Sequence, residues 1–283
     1  MRLGLSTPVV VQVPGVASPW EAEAGPDDLR TVAAAADALG YDFLTCSEHV
    51  AVPVAEATTR GDVYWDPLST LGFLAAHTRR IKLATAVLVL GYHHPLEIAK
   101  RYGTLDRLSG GRLVLGVGIG SLTEEFDLIG AQWSQRAARA DDALRALRAS
   151  LSVPEPEYDG PFYSYGGMSV RPYAQAARVP IWVGGKSIQS LRRAVRFGDG
   201  WLPFALRPAQ VKEMLATVDT TEGFDVILAS GPLDPMAEDA AVRRRLDALR
   251  EAGATAVSCT VAARSAAHYA EQLHRLRELA DTT

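Results

Sequence analysis

Apolar positions along the chain fall into two alternating patterns. Short β-branched runs read as strands, and longer stretches with apolar residues three and four apart read as helices. Residues 3–11 read as the first strand. Residues 27–39 follow as a helix, with Leu29, Val32, Ala33, Ala36 and Leu39 on one stripe and Gly40 where a C-terminal cap belongs. The pattern continues with strands at 41–46, 81–90 and 113–118, and helices at 67–77, from Pro95 to just before Gly110-Gly111, and at 134–151. It resumes with strands at 180–183, 201–204, 225–229 and 256–261, each followed by a helix, at 187–197, 208–217, 237–252 and 265–279.

Eight strand–helix pairs in 283 residues predict a closed (β/α)8 TIM barrel, which needs about 250 residues. An open doubly wound sheet would carry a phosphate fingerprint in its first strand–helix turn. The segment from Val13 to Ser18 has none. The expected organisation is one barrel domain over residues 1–283 with a β-hairpin inserted after the fourth helix, at 153–177. There Pro154, Pro156, Pro161 and Pro172 break the alternation, and residues 162–165 and 168–170 read as the hairpin strands.

Composition narrows the function classes. A net charge of −4 argues against a whole-surface nucleic-acid binder. No apolar run reaches the roughly 18 residues of a membrane span, and the N-terminus lacks a signal-peptide layout. Two cysteines, Cys46 and Cys259, make no disulfide framework and fit a reducing, cytoplasmic setting. Lysine chemistry is limited to Lys82, Lys100, Lys186 and Lys212, and only Lys186 falls near a strand end, so a Schiff-base aldolase is disfavoured.

In a barrel, chemistry collects on the loops that follow the strands. Glu48 and His49 stand just beyond the second strand, where an imidazole exchanges a proton near neutral pH or serves as a structural hydrogen-bonding group. His93-His94 is a poor chelating pair, because neighbours on an extended segment point apart, and no metal site is expected. Gly184-Gly185-Lys186-Ser187 precedes a helix. It suits either an anion at the helix N-terminus or a tight turn with an ordinary Ser cap. The glycines Gly116, Gly118 and Gly120 lack dinucleotide spacing and would let a flat ring lie against the backbone. Glu124 and Glu125 read as a solvated turn of helix.

Longer motifs give a resemblance. Residues 65–71, from Trp65-Asp66-Pro67, lead to Thr78-Arg79-Arg80-Ile81-Lys82-Leu83-Ala84-Thr85-Ala86-Val87. Residues 95–100 lead to 104–112 and Leu115-Gly116-Val117-Gly118, and later come residues 180–185 and 198–201. Together they resemble the luciferase-like flavin and deazaflavin oxidoreductases, a (β/α)8-barrel family with an insertion. Gly40-Tyr41-Asp42 followed by Glu48-His49 is similar to members that use the deazaflavin coenzyme F420.

The resemblance implies hydride transfer between F420 and a small organic substrate, with Glu48 and His49 as catalytic residues. It implies a coenzyme on Thr85, Ala86, Val87, Gly116 and Gly118, with its phosphate at Gly184, Gly185, Lys186 and Ser187. It also implies a non-proline cis peptide at Ala86–Val87 and a homodimer formed through the second and third helices. The alternatives are an FMN-dependent luciferase-like monooxygenase and a flavin-binding protein without turnover. Sugar-phosphate dehydrogenases of the superfamily carry a catalytic Glu where this chain has Ser121, so Glu124 or Glu125 would replace it only if the loop turns back.

Overall fold

The computed structural model describes residues 1–281. Eight parallel strands form the barrel: β1 (Arg2–Ser6), β2 (Phe43–Cys46), β3 (Lys82–Thr85), β4 (Leu113–Gly118), β5 (Ile181–Gly184), β6 (Gly200–Leu202), β7 (Asp225–Leu233) and β8 (Ala256–Val261). Neighbours in sequence are neighbours in the sheet, and β8 pairs back on β1 to close the ring. Eight principal helices surround it: α1 (Pro26–Ala38), α2 (Pro67–His77), α3 (Pro95–Ser109), α4 (Arg136–Ser150), α5 (Ile188–Phe197), α6 (Pro208–Leu215), α7 (Asp239–Glu251) and α8 (Ala266–Asp281).

The lumen is filled, not open. Phe43, Ala84, Val114, Trp182, Ile227 and Ala256 form an inner cluster, with Phe43 and Trp182 edge to face at 5.2 Å. Gly4 makes room for it, since a Cβ there would stand 2.4 Å from the Phe43 ring. At the N-terminal end, Arg2 pairs with Asp42 and Asp225, and Lys82 reaches Asp42 at 3.3 Å. Polar side chains thus face one another at the foot of the barrel, away from the loops that follow the strands.

Two of the departures from the strands read in the sequence bear on the site. The first strand ends at Ser6, not residue 11, because buried Val9 takes a φ of 74° that a β-branched residue rarely adopts. Its amide is fixed by the buried Glu21 carboxylate at 2.8 Å. The chain then turns, and Val11–Gln12 pairs antiparallel with Val63–Tyr64 of the loop after β2.

The third strand is interrupted at Ala86–Val87. Ala84 is level with Val114, yet Leu88 is level with Val117, so four residues advance on one strand against three on the other, which defines a bulge. The Ala86–Val87 peptide within it is cis, as the resemblance implied.

The segment after α4 contains an antiparallel pair, Tyr158–Asp159 with Ser164–Tyr165. Residues 168–170, expected as its second strand, are irregular. Two buried carboxylates bind this segment to the barrel. Asp106 of α3 accepts from the amides of Gln175 and Ala176, and Asp142 of α4 from those of Phe162 and Tyr163.

Candidate active site

The chemistry collects at the C-terminal end of the barrel, on the loops after β2, β3, β4 and β5. Glu48 and His49 are adjacent in sequence but serve different partners. Glu48 is buried and both its oxygens are engaged, one by the Val89 amide at 2.6 Å and the other by His93 Nε2 at 2.7 Å. Its own amide donates to Val87 O at 3.3 Å, and the Ser47 hydroxyl donates to Ala86 O at 2.6 Å. Residues 47–48 therefore fasten the bulge of β3 from the side of β2.

His49 turns the other way. Its Nδ1 meets Glu125 Oε2 at 2.7 Å, and its ring packs edge-on against Tyr64 at 4.5 Å. The imidazole keeps 17% of its side-chain surface while the Glu125 side chain keeps 1%. A carboxylate accepts, so Nδ1 carries the proton, and Nε2 is the ring nitrogen not engaged by Glu125.

Glu125 corrects the sequence reading. Glu124 lies on a solvated turn as expected, but Glu125, next to it, is buried. It lies on a short helix, Thr123–Leu128, that returns over the site after Gly120 at φ 81°. Phe126 anchors that helix. It stacks edge to face with Tyr92 at 4.9 Å, and a Cβ on Gly91 or Gly120 would fall within 2.6 Å of its ring. Glu125 also accepts from the Tyr92 hydroxyl at 2.9 Å and from the Val50 amide at 2.7 Å.

Burial would raise the Glu125 carboxyl, but His49, Tyr92 and the Val50 amide outweigh it and hold the group below the usual range. Burial and the bond to Glu125 push the Tyr92 phenol upward. Ser121 is exposed and receives Arg60 Nη1 at 3.4 Å. The buried carboxylate of this loop, Glu125, lies four residues further on. The one signal for it in the sequence was a Glu-Phe pair whose phenylalanine had to be buried.

The glycines of β4 and β5 serve the bulge. A Cβ on Gly118 would stand 2.7 Å from Val87 Cγ2, and one on Gly184 would stand 2.8 Å from Val87 Cγ1. The half-buried Val87 side chain sits over both, forming an apolar floor at the barrel mouth. Thr85 and Gly116 lie deeper and bind each other, with the Thr85 hydroxyl donating to Gly116 O at 2.6 Å.

At the start of α5, Ser187 is the N-cap and accepts from the Ser190 amide at 3.3 Å. Gly185 has a φ of 138°, and a Cβ there would meet Ser190 Cβ at 2.6 Å, so the backbone alone demands glycine. Lys186 and Ser187 are exposed. His93 and His94 point apart as expected: the first pairs with Glu48, while the second accepts from the Leu96 amide and packs on Tyr163. An apolar floor beside a capped helix start fits a flat ring with an anionic tail.

A buried carboxylate bonded to an imidazole stands at the C-terminal ends of a closed parallel barrel. The chain matches the luciferase-like monooxygenase family over residues 1–283 and belongs to it. It is 28% identical over 180 residues to a 5,10-methylenetetrahydromethanopterin reductase of Archaeoglobus fulgidus, covering 64% of this chain and 50% of the reductase. The chain spans about half to two thirds of the length of the curated relatives it matches. Its fold is similar to that of the monooxygenase RslO1 from Streptomyces bottropensis, with a TM-score of 0.78 and 21% identity over the whole of both chains. It is also similar to the coenzyme F420-dependent tetrahydromethanopterin reductase of Methanopyrus kandleri. That likeness has a TM-score of 0.72 and 15% identity over 98% of this chain and 97% of the other.

Proposed function

We propose that the chain is an F420-dependent oxidoreductase that moves a hydride between the deazaflavin coenzyme and a small organic substrate. The observation that carries this reading is the buried Glu125 locked on the largely buried His49, one residue from the Glu48 amide that holds Val87. The coenzyme supplies the hydride chemistry when bound. The protein binds, orients and handles the proton. His49 holds or moves a proton at Nε2, and Glu125 fixes the tautomer and steadies the imidazolium. Glu48 positions Val89 and His93. Ala86, Val87, Gly118 and Gly184 form the floor for the ring, and Thr85 and Gly116 support it from beneath. Gly185, Lys186 and Ser187 receive the phosphate, favoured by the dipole of α5.

Similarity to the Archaeoglobus reductase, and the F420 dependence of a protein with the same fold, support the reading. An FMN-dependent monooxygenase is the second reading, favoured by the likeness to RslO1. A binding protein without turnover would have no use for a buried carboxylate fixed on an imidazole. Among the described residues no helix is long and apolar enough to cross a membrane.

Calorimetric titration of the full chain with F420 and with FMN, side by side, tests the assignment. Tighter F420 binding is expected. Submicromolar FMN binding with no detectable F420 binding would overturn it in favour of the monooxygenase.

A further inference from the structure

The helices run back toward the foot of the barrel, so the ends of α4 and α5 lie beside the start of β5, away from the loops that carry His49 and Glu125. A cavity of about 470 Å³ opens there, within the size range of pockets that hold small organic molecules. Leu147, Leu151 and Val153 give it an apolar wall. Arg145, Arg148, Arg178 and Arg196 also line it, and no acidic side chain does.

The four arginines are bound unequally. Arg148 turns its donors on Phe197 O at 3.2 Å, on Val179 O at 2.9 Å and on Asp199 Oδ2. Arg178 holds the other oxygen of Asp199, at 2.7 and 3.1 Å. One carboxylate thus serves two guanidinium groups. Arg145 reaches Asp142 Oδ1 at 3.1 Å, an oxygen that also accepts from the Tyr158 hydroxyl. Arg196 has no hydrogen bond or ion pair among the described residues. Asp141, which lines a neighbouring hollow with Arg196, is taken by Arg193. The Arg145 and Arg196 guanidinium groups lie 5.6 and 4.9 Å from the centre of one ring, that of Phe197.

Helix C-terminal ends favour cations, and an aromatic face holds a guanidinium flat. Neither effect neutralises the charge. Four guanidinium groups meet two carboxylates, which leaves an excess of two positive charges beside an apolar wall, in a chain whose net charge is −4.

We propose that this cavity binds a small organic phosphate, with its anionic head on the free donors of Arg196 and Arg145 and its apolar body against Leu147, Leu151 and Val153. A phosphate monoester carries about 1.5–2 negative charges at neutral pH, which matches the excess. The planar edge of a guanidinium takes two phosphate oxygens through parallel hydrogen bonds. The apolar wall favours an ester over inorganic phosphate. This site is separate from the barrel mouth and does not depend on the coenzyme reading.

1-Naphthyl phosphate, titrated calorimetrically into the full chain, joins the two halves of such a ligand. Saturable binding is expected, tighter than that of 1-naphthol or of inorganic phosphate. Arg196→Gln, which removes no hydrogen bond, should weaken it about tenfold or more. Ala177 is an exposed lining residue, and Ala177→Trp, which fills the cavity and keeps all four arginines, should weaken it as well. Circular dichroism of both variants should stay that of wild type. Lys186→Gln, at the barrel mouth, should leave binding unchanged. No binding to wild type would overturn the proposal, as would equal affinity in wild type and both cavity variants, or 1-naphthol binding as tightly as its phosphate. A loss in Lys186→Gln with none in Arg196→Gln would also overturn it, by placing the ester at the mouth.

Discussion

His49 Nδ1 and Glu125 Oε2 stand 2.7 Å apart, although 76 positions separate them in the chain. The loop after β2 brings the imidazole and the short helix after β4 brings the carboxylate. Neither is placed by its own neighbours in sequence.

That pairing predicts how the two residues share their work. Glu125→Gln keeps the shape but takes away the charge that steadies an imidazolium, and it lets an amide N–H face Nδ1. Turnover should fall about 10²–10⁴-fold, with little change in coenzyme affinity. His49→Gln should cost as much, and the double variant little more than either alone, because the pair acts as a unit. Steady-state kinetics with reduced and oxidised coenzyme would read this. Fully multiplying losses would separate the two residues functionally.

The floor of the site predicts a coupling between Gly118 and Val87. A methyl added at Gly118 meets only Val87, 2.7 Å from Cγ2. Gly118→Ala should therefore destabilise the chain by about 1–3 kcal/mol through overpacking. In a Val87→Ala background the same methyl enters vacated space and should cost almost nothing. Urea unfolding of the four species gives the interaction energy. An equal cost in both backgrounds would mean that Gly118 is required for some other reason.

The dimer expectation concerns α2 and α3. Leu108 near the end of α3 is 73% exposed, and Leu68 and Phe73 of α2 are only partly covered. Light scattering at micromolar concentration should give twice the chain mass, and Leu108→Glu should shift it toward the single-chain value. A single-chain mass for the unaltered protein would remove the dimer.

Strand and helix order was legible because burial imposes one period on strands and another on helices, and it does so again in every repeat. The limits were local. The β-branched run through Val9 looked like strand, and the turn there depends on a Glu21 carboxylate that sequence spacing does not reveal. Glu48 and His49 were found together because they are adjacent, yet adjacency on an extended segment sent them to opposite partners. Glu125 read as solvated because a two-residue acidic run usually is. Only the packing of Phe126 against Gly91, Gly120 and Tyr92 turns one of the two carboxylates inward. The cis bond at Ala86–Val87 was anticipated from resemblance alone, since nothing in the residue types at that position demands it.

The inserted segment gives the last prediction, on acid stability. Asp142 is fully buried and accepts from the Tyr158 hydroxyl at 2.5 Å, the Phe162 and Tyr163 amides at 2.9 and 3.1 Å, and Arg145 Nη2 at 3.1 Å. Burial would raise its carboxyl, but these donors prevail and hold it below the ordinary range. A carboxyl depressed in the folded state adds stability above its unfolded pKa of about 3.9. That contribution is lost as pH falls toward the folded value. Asp142→Asn keeps the volume but turns an N–H toward at least one of four donors. It should destabilise the chain by about 1–3 kcal/mol at neutral pH, the range for leaving a buried polar group unpaired. Part of the acid sensitivity below about pH 4 should vanish with it, because the variant has no proton to take up there. Urea midpoints from pH 3 to 7 for both proteins would show the two curves converging at low pH. Parallel curves would mean that Asp142 holds the segment by shape and not by charge.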